Sequence, residues 1–371
     1  MQLKMTFLLT CLFSANMLQA DFDSLVYDRF SENVLNSFGV SGTFLAQLRA
    51  KNSLKSNTAE ARWDYFLEKF DSSYEFIPIL KSMIAKAGIP QEFLFLAMAE
   101  SEFSTRAYSP KKAAGIWQLM PNTAKQLGLK INDYIDERRD PIKSTQAAIK
   151  YLQFLYKITG KWYLAAMAYN CGVGRLQKAI KEAKSTDIDV LLDEHKKYLP
   201  KETRSYIQMI LSMSLAFNNI EKLKSEDREY LLNRGAMSTL ASLNIKAGTM
   251  LSAIAEGAGM SLEDLKKYNR QFRYNFLPPG YNEYAVYIPY EKLAYFKQNF
   301  TQEKNPNEMF VLHKVKHGET LTSISKKYKV SIQEIKITNN LKNSFLSINQ
   351  KLIVPVIKKN YQKIAQNEAN H

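Results

Sequence analysis

Cysteine is nearly missing: two in 371 residues, Cys11 and Cys171. Cys11 lies in a segment read below as a removable leader. Cys171 then stands alone, which excludes an intramolecular disulfide. Histidine is almost as scarce, and His195, His313, His317 and His371 are scattered. With no Cys/His cluster at ligand spacing, no structural or catalytic metal and no cofactor is expected. Nor is there an apolar run of the ~20 residues needed to cross a bilayer as a helix. Negative charge is also short, with 36 Asp and Glu against 51 Lys and Arg, a formal net charge of +15. Residues 301–371 hold twelve Lys and no Arg against five Glu and no Asp. Such an excess favours an anionic partner: nucleic acid, an acidic membrane surface or an acidic polymer such as cell wall. Charge alone does not name which.

Residues 1–20 have the composition of an export signal. Lys4 supplies the positive start, Met5 to Phe13 a short apolar core, and Ala20 a small residue before Asp21. Leu18, three positions before the cut, is larger than the usual small residue. Cys11 as a lipid-bearing cysteine would have too few apolar residues ahead of it. A peripheral or lipid-anchored hold on a membrane stays an alternative to free export into the periplasm or cell envelope.

Beyond the leader, residues 21–84 read as a helical extension without chemistry, and residues 85–220 as a compact all-α domain. Tyr74 to Ala87 repeats apolar residues at helical spacing and stops at Gly88, a natural C-cap. Pro90 suits the first turn of the next helix, with Glu92 near its positive end. That helix runs through Phe93, Leu94, Leu96 and Ala97 to Glu100. Further helices are expected over Pro121 to Leu127, Ile142 to Ile158, Trp162 to Tyr169, Val173 to Ala183 and Lys201 to Phe217.

The remainder contains an imperfect repeat offset by about 70 residues. Gly248, Leu251, Ile254, Ser261, Leu265 and Asn269 recur as Gly318, Leu321, Ile324, Ser331, Ile335 and Asn339. Each copy reaches a short apolar strand with a proline, Val286 to Pro289 and Leu352 to Pro355. The first copy carries four more residues before that strand. Copies are placed at 242–290 and 311–356, a linker at 295–308 and a basic tail at 357–371. Each unit is too small to hold a catalytic domain with a deep cleft.

Glu100 is the unusual residue of the helical part. It closes the apolar run Phe93-Leu-Phe-Leu-Ala-Met-Ala99, where an ionised carboxylate is poorly solvated. Desolvation raises a carboxyl pKa, as a general acid requires. Glu102 cannot share its face, since two helical steps turn a side chain by roughly 200°. Most glycosidases set two carboxylates across the scissile bond. One apolar Glu therefore points to substrate-assisted chemistry or to a distant second acid.

Four segments follow in order. Glu100-Ser101 comes first, then Ser109-Pro-Lys-Lys-Ala-Ala-Gly-Ile-Trp-Gln-Leu-Met-Pro121. Ala168-Tyr-Asn-Cys-Gly-Val-Gly-Arg175 is third, and Pro200-Lys-Glu-Thr-Arg-Ser-Tyr206 last. This set resembles the soluble lytic transglycosylase catalytic domain, whose fold is lysozyme-like, and most of all the membrane-bound lytic murein transglycosylase D type with C-terminal LysM modules. The resemblance implies that Glu100 is the catalytic acid and base. It implies that Ser101, Ser109, Gln118, Met120, Tyr169 and Asn170 line the sugar cleft, and that Tyr206 steadies the Glu. Gly115, Gly172 and Gly174 would serve tight turns. Ala113 stands where the family usually has Gly, Ile116 stands for Leu and Cys171 for Ala; none of these removes a catalytic group.

His313 to Pro355 resembles a LysM module, a βααβ unit that binds N-acetylglucosamine polymers. Gly318, Glu319, Thr320, Leu321 and Asn339 are the glycan-binding candidates that follow from the resemblance. Asn349 stands where the family has Gly, and His313 replaces the usual Tyr. The first copy, with Thr249-Met250 after Gly248, looks like a divergent LysM that either binds glycan or packs against the rest of the chain.

The expected fold is therefore mainly α: a lysozyme-like all-α domain followed by small α+β modules. The expected function is non-hydrolytic cleavage of peptidoglycan glycan strands, giving 1,6-anhydromuramic ends. The alternatives are a hydrolysing muramidase of the same fold and a non-catalytic wall-binding scaffold. A DNA-binding regulator is disfavoured by the leader and by the lack of basic-aromatic interleaving on one helix, so no nucleic acid partner is expected.

Overall fold

The structure is a computed structural model that describes residues 36–40, 44, 59–217, 239–280, 282–301, 308–357 and 360. The expected leader with Cys11, most of residues 21–58 and nearly all of the basic tail lie outside the described residues. The chain divides into two compact units, residues 1–129 with 141–238 and residues 130–140 with 239–371. No described helix is long and apolar enough to cross a membrane.

The first unit is helical. Its elements are α1 (Ala59–Ser72), α2 (Ile77–Lys86), α3 (Phe93–Ser101), α4 (Pro121–Gln126), α5 (Pro141–Thr159), α6 (Trp162–Cys171), α7 (Val173–Ala183), α8 (Ile188–Leu191) and α9 (Lys201–Phe217). Helix α3 is apolar all round from Phe93 to Ala99, so this stretch has no polar face and becomes the centre of the unit. Phe93 to Met98 are all buried, and α3 packs against α2 and α9. Helices α5 and α6 pair, and α6 also meets α7 and α9. α7 and α9 match the expected bounds.

The extension expected to end at residue 84 is not separate from this core. Phe70 of α1 meets Phe95 of α3 and sets its edge on Phe103, at ring distances of 5.9 and 5.2 Å. α2 packs against α3 and α5. Aromatic burial of this kind draws α1 and α2 into the unit.

The second unit holds the two repeat copies, each a two-stranded antiparallel sheet with two helices. The first has β1 (Leu240–Lys246), α10 (Leu251–Gly257), α11 (Leu262–Tyr268) and β2 (Glu283–Pro289), followed by α12 (Leu293–Asn299). The second has β3 (Glu308–Lys314), α13 (Leu321–Tyr328), α14 (Ile332–Thr338) and β4 (Lys351–Ile357). Repeated apolar positions carry the two cores: Leu251, Ile254 and Leu265 in one, Leu321, Ile324 and Ile335 in the other. Ser261 and Ser331 cap the N-termini of α11 and α14. The linker expected at 295–308 is partly helix. α12 buries Phe296 and stacks it on Phe300 at 4.5 Å, which fastens 293–300 to the first module. Residues 302–307 lie outside the described residues.

Residues 130–140 were expected inside one continuous helical domain. They fold instead with the second unit, where Ile135 joins the core of the first module.

Candidate active site

Glu100 is the penultimate residue of α3. The helix ends directly after it because Glu102 and Phe103 both take left-handed backbone, with φ of 53° and 59°. That turn carries Glu102 away to Tyr65, whose hydroxyl donates to its Oε1, and to Lys69 at 3.4 Å. Glu102 is thus already paired, in keeping with the helical-wheel expectation.

Glu100 keeps only a partial opening to solvent. Tyr206 of α9, itself buried, donates its hydroxyl to Glu100 Oε1 at 2.7 Å. Burial pushes the Glu100 pKa up to about 7; the Tyr206 hydrogen bond opposes the shift and the Glu202 carboxylate adds to it. The group is poised between its protonated and ionised forms near neutral pH. The hydroxyls of Tyr169 and Tyr206 are held well above the ordinary tyrosine range by burial first and by the nearby Glu100 charge second. Both therefore stay protonated donors.

The glycine motif forms a tight loop beside the acid. Gly115 has φ +78°, a left-handed conformation that suits glycine, and Gln118 is held at φ +44°. Three expected cleft residues fasten consecutive carbonyls of this loop. Gln118 Nε2 donates to Gly115 O at 2.9 Å, Ser101 Oγ to Ile116 O at 2.7 Å, and Tyr169 Oη to Trp117 O at 2.6 Å. Trp117, fully buried, donates its indole N–H to Thr145 Oγ1 at 2.8 Å. Two hydroxyls and an amide thus fix the backbone of this loop. A non-glycine residue kept at positive φ in such a loop marks a site where the fold over-determines geometry.

The other candidates divide. Ser109 Oγ accepts from Ala113 N at 3.0 Å and closes the turn that precedes the loop. Met120, at the start of α4, is 43% exposed and presents its side chain to solvent. Asn170 accepts from Thr203 Oγ1 at 2.7 Å, which ties α6 to α9 behind the acid. Cys171 is a free thiol, half-buried, and burial raises its pKa, so it behaves as a small apolar residue. Gly172, at φ +84°, both ends α6 and opens α7.

Sequence reasoning missed Trp117, Thr145, Thr203 and Glu202. Glu202 and Thr203 lie inside the quoted Pro-Lys-Glu-Thr segment, so the signal was present, but nothing in it gives their direction.

In the second repeat copy the glycan candidates are tied into the fold. Thr320 caps α13 and forms a reciprocal capping box with Ser323. Leu321 is core. Glu319 accepts from His313 Nε2 at 2.8 Å and from Lys316 N at 2.7 Å, and Gly318 sits at φ +77°. Asn339 bonds both the N–H and the C=O of Ile353.

Comparison with known families agrees with this architecture. Residues 78–192 match the transglycosylase SLT domain, 239–305 the LysM-like domain of lytic transglycosylase MltD, and 313–355 the LysM domain. The helical domain is a transglycosylase SLT domain. More particularly, the chain has the SLT domain, the MltD-type LysM-like domain and the LysM domain in that order. Over 292 residues it is 30% identical to membrane-bound lytic murein transglycosylase D of Escherichia coli (strain K12), covering 74% of this chain and 62% of that protein. The chain therefore spans under two thirds of that relative's length. Soluble lytic murein transglycosylase of the same strain is 26% identical over 43% of this chain and 25% of its own length. Peptidoglycan transglycosylase gp16 of Escherichia phage T7 is 37% identical over 28% of this chain and 8% of its own.

Proposed function

We propose that this chain is a peptidoglycan lytic transglycosylase exported to the cell envelope, with Glu100 as its single acid and base. Protonated Glu100 donates to the glycosidic oxygen between N-acetylmuramic acid and N-acetylglucosamine. As the bond breaks, the resulting carboxylate takes the proton from the muramic C6 hydroxyl, whose oxygen attacks the anomeric carbon. The product is a 1,6-anhydromuramic end, and neither a second carboxylate nor a water is consumed. One group acting first as acid and then as base works best with a pKa near the working pH.

The observation that carries this reading is the Glu100 carboxyl, set in an apolar wall with a pKa near 7 and held by Tyr206. Ser101, Gln118 and Tyr169 act by fixing the loop wall, while Ser109 and Asn170 fix the turn and helix behind it. Met120 offers apolar surface to the sugar face. The LysM domain gives a second hold on an insoluble anionic substrate, raising the local concentration of the cleft at the strand. The basic tail adds to it by charge.

A hydrolysing muramidase is the second reading, favoured by the Glu202 carboxylate, whose charge reaches Glu100. Release of soluble muropeptides from purified sacculi tests the assignment of the acid. Wild type releases them, and Glu100→Gln reduces release at least 1,000-fold on the order expected for loss of a general acid and base. Retained release by the variant would end the proposal.

A further inference from the structure

The two repeat copies differ most in the loop after their second helix. In both, an asparagine closing that helix clamps the returning strand. Asn269 donates to Leu265 O and Tyr287 O and accepts from Tyr287 N. Asn339 does the same with Ile335 and Ile353. The loops 270–282 and 340–350 are therefore equivalent places in one fold. In the second copy this region carries exposed apolar side chains: Phe345 is 87% exposed and Ile348 58%. In the first copy Phe272, Phe276 and Leu277 are buried.

What covers the first loop is residues 130–140 of the same chain. Asp136 N donates to Gln271 O at 2.8 Å and Arg273 N to Tyr134 O at 2.9 Å, a short antiparallel pairing in which Ile135 faces Phe272. Arg273 Nε donates to Asn132 O at 2.9 Å, and its guanidinium lies 3.5 Å from Asp136. Asp136 is buried and takes a two-pronged ion pair from Arg138. Tyr287 of β2 donates to Asp140. The same strap reaches the second copy: Tyr134 Oη accepts from Leu312 N at 2.7 Å, and Lys351 pairs with Asp133.

We infer that the first module is a docking module, whose loop 270–282 is committed to the strap 130–140, and that of the two modules only the second holds glycan. The backbone groups and apolar side chains a sugar polymer would need on that loop are already spent on an intrachain partner. This inference rests on the proposed peptidoglycan substrate for the identity of the glycan, but not for the docking itself.

Hydrogen exchange of the full chain, with and without a β-1,4 tetramer of N-acetylglucosamine, tests it. Slowed exchange within 313–355 and none within 270–282 is the expected footprint. Slowing in 270–282, or none in 313–355, overturns the assignment. Arg273→Ala and Arg273→Gln, which both remove the guanidinium that bonds Asn132 O and Asp136, serve as a second arm. Both are expected to speed exchange of the amides at positions 136 and 273 at least tenfold while sacculus binding stays within twofold. Unchanged exchange overturns the docking, and a tenfold loss of binding by Arg273→Ala shows the loop to be a glycan site. Failure of the wild type to bind sacculi at all would instead remove the peptidoglycan reading and leave the exchange arm to decide the docking.

Discussion

The hydroxyl of Tyr206 donates to Glu100 Oε1 at 2.7 Å across 106 residues of sequence, from the second turn of α9 to the penultimate residue of α3. The bond favours the ionised carboxylate, against a burial that favours the neutral acid. The balance of these two effects holds the Glu100 pKa at about 7, and each can be moved separately.

Tyr206→Phe removes the opposing hydrogen bond, so the Glu100 pKa rises above about 7. Hydrogen bonds to charged groups contribute about 1.5–3 kcal/mol, so turnover is expected to fall on the order of 10–100-fold. The ionisation seen in the pH–rate profile should move to higher pH. A profile that moves to lower pH would contradict the account.

Glu202→Gln removes a neighbouring negative charge that raises the Glu100 pKa. The pH–rate ionisation is expected to move down, with cleavage retained within roughly tenfold, since one pKa unit corresponds to about 1.4 kcal/mol. Abolished cleavage at every pH would make Glu202 a second essential carboxylate, as a hydrolase needs.

Glu100→Gln should change stability in a pH-dependent direction. The folded pKa of about 7 lies above the ordinary value of 4.5, so folding favours the protonated acid. That contribution is full below pH 4.5 and is lost as pH rises through 7. At pH 8 the variant is expected to be more stable than wild type by up to about 3 kcal/mol, and at pH 4 the two should be close. Denaturant unfolding at both pH values measures the difference.

Asn269→Ala and Asn339→Ala should each release a returning strand. Each loses a clamp on a backbone N–H and C=O, buried at Asn269 and part-buried at Asn339, at a cost of about 1–3 kcal/mol. Exchange of the Tyr287 amide should speed up in the first variant and that of Ile353 in the second, each without the other.

Much of this was legible in the chain. Val173 to Ala183 and Lys201 to Phe217 announce their helices by local period and by Gly172 and Pro200 at their starts. The apolar run ahead of Glu100 announces a buried acid because burial and desolvation follow from neighbours in sequence. Asn269 and Asn339 stand out by repetition, although their work as strand clamps does not. The strap was not legible, since Asp136 finds Arg273 at a separation of 137 residues and no local pattern encodes that. The aim of Ser101, Gln118 and Tyr169 was also hidden. Their partners are backbone carbonyls of a loop, and any loop sequence supplies those. The first strand of each module came from the likeness to a βααβ unit and not from the residues themselves.

The most direct test of the central claim is the mass of the glycan ends released from sacculi by the wild type. The account predicts 1,6-anhydromuramic ends, lighter by one water than reducing ends, and their disappearance in Glu100→Gln. Reducing ends from the wild type, or anhydro ends that persist in the variant, would contradict it.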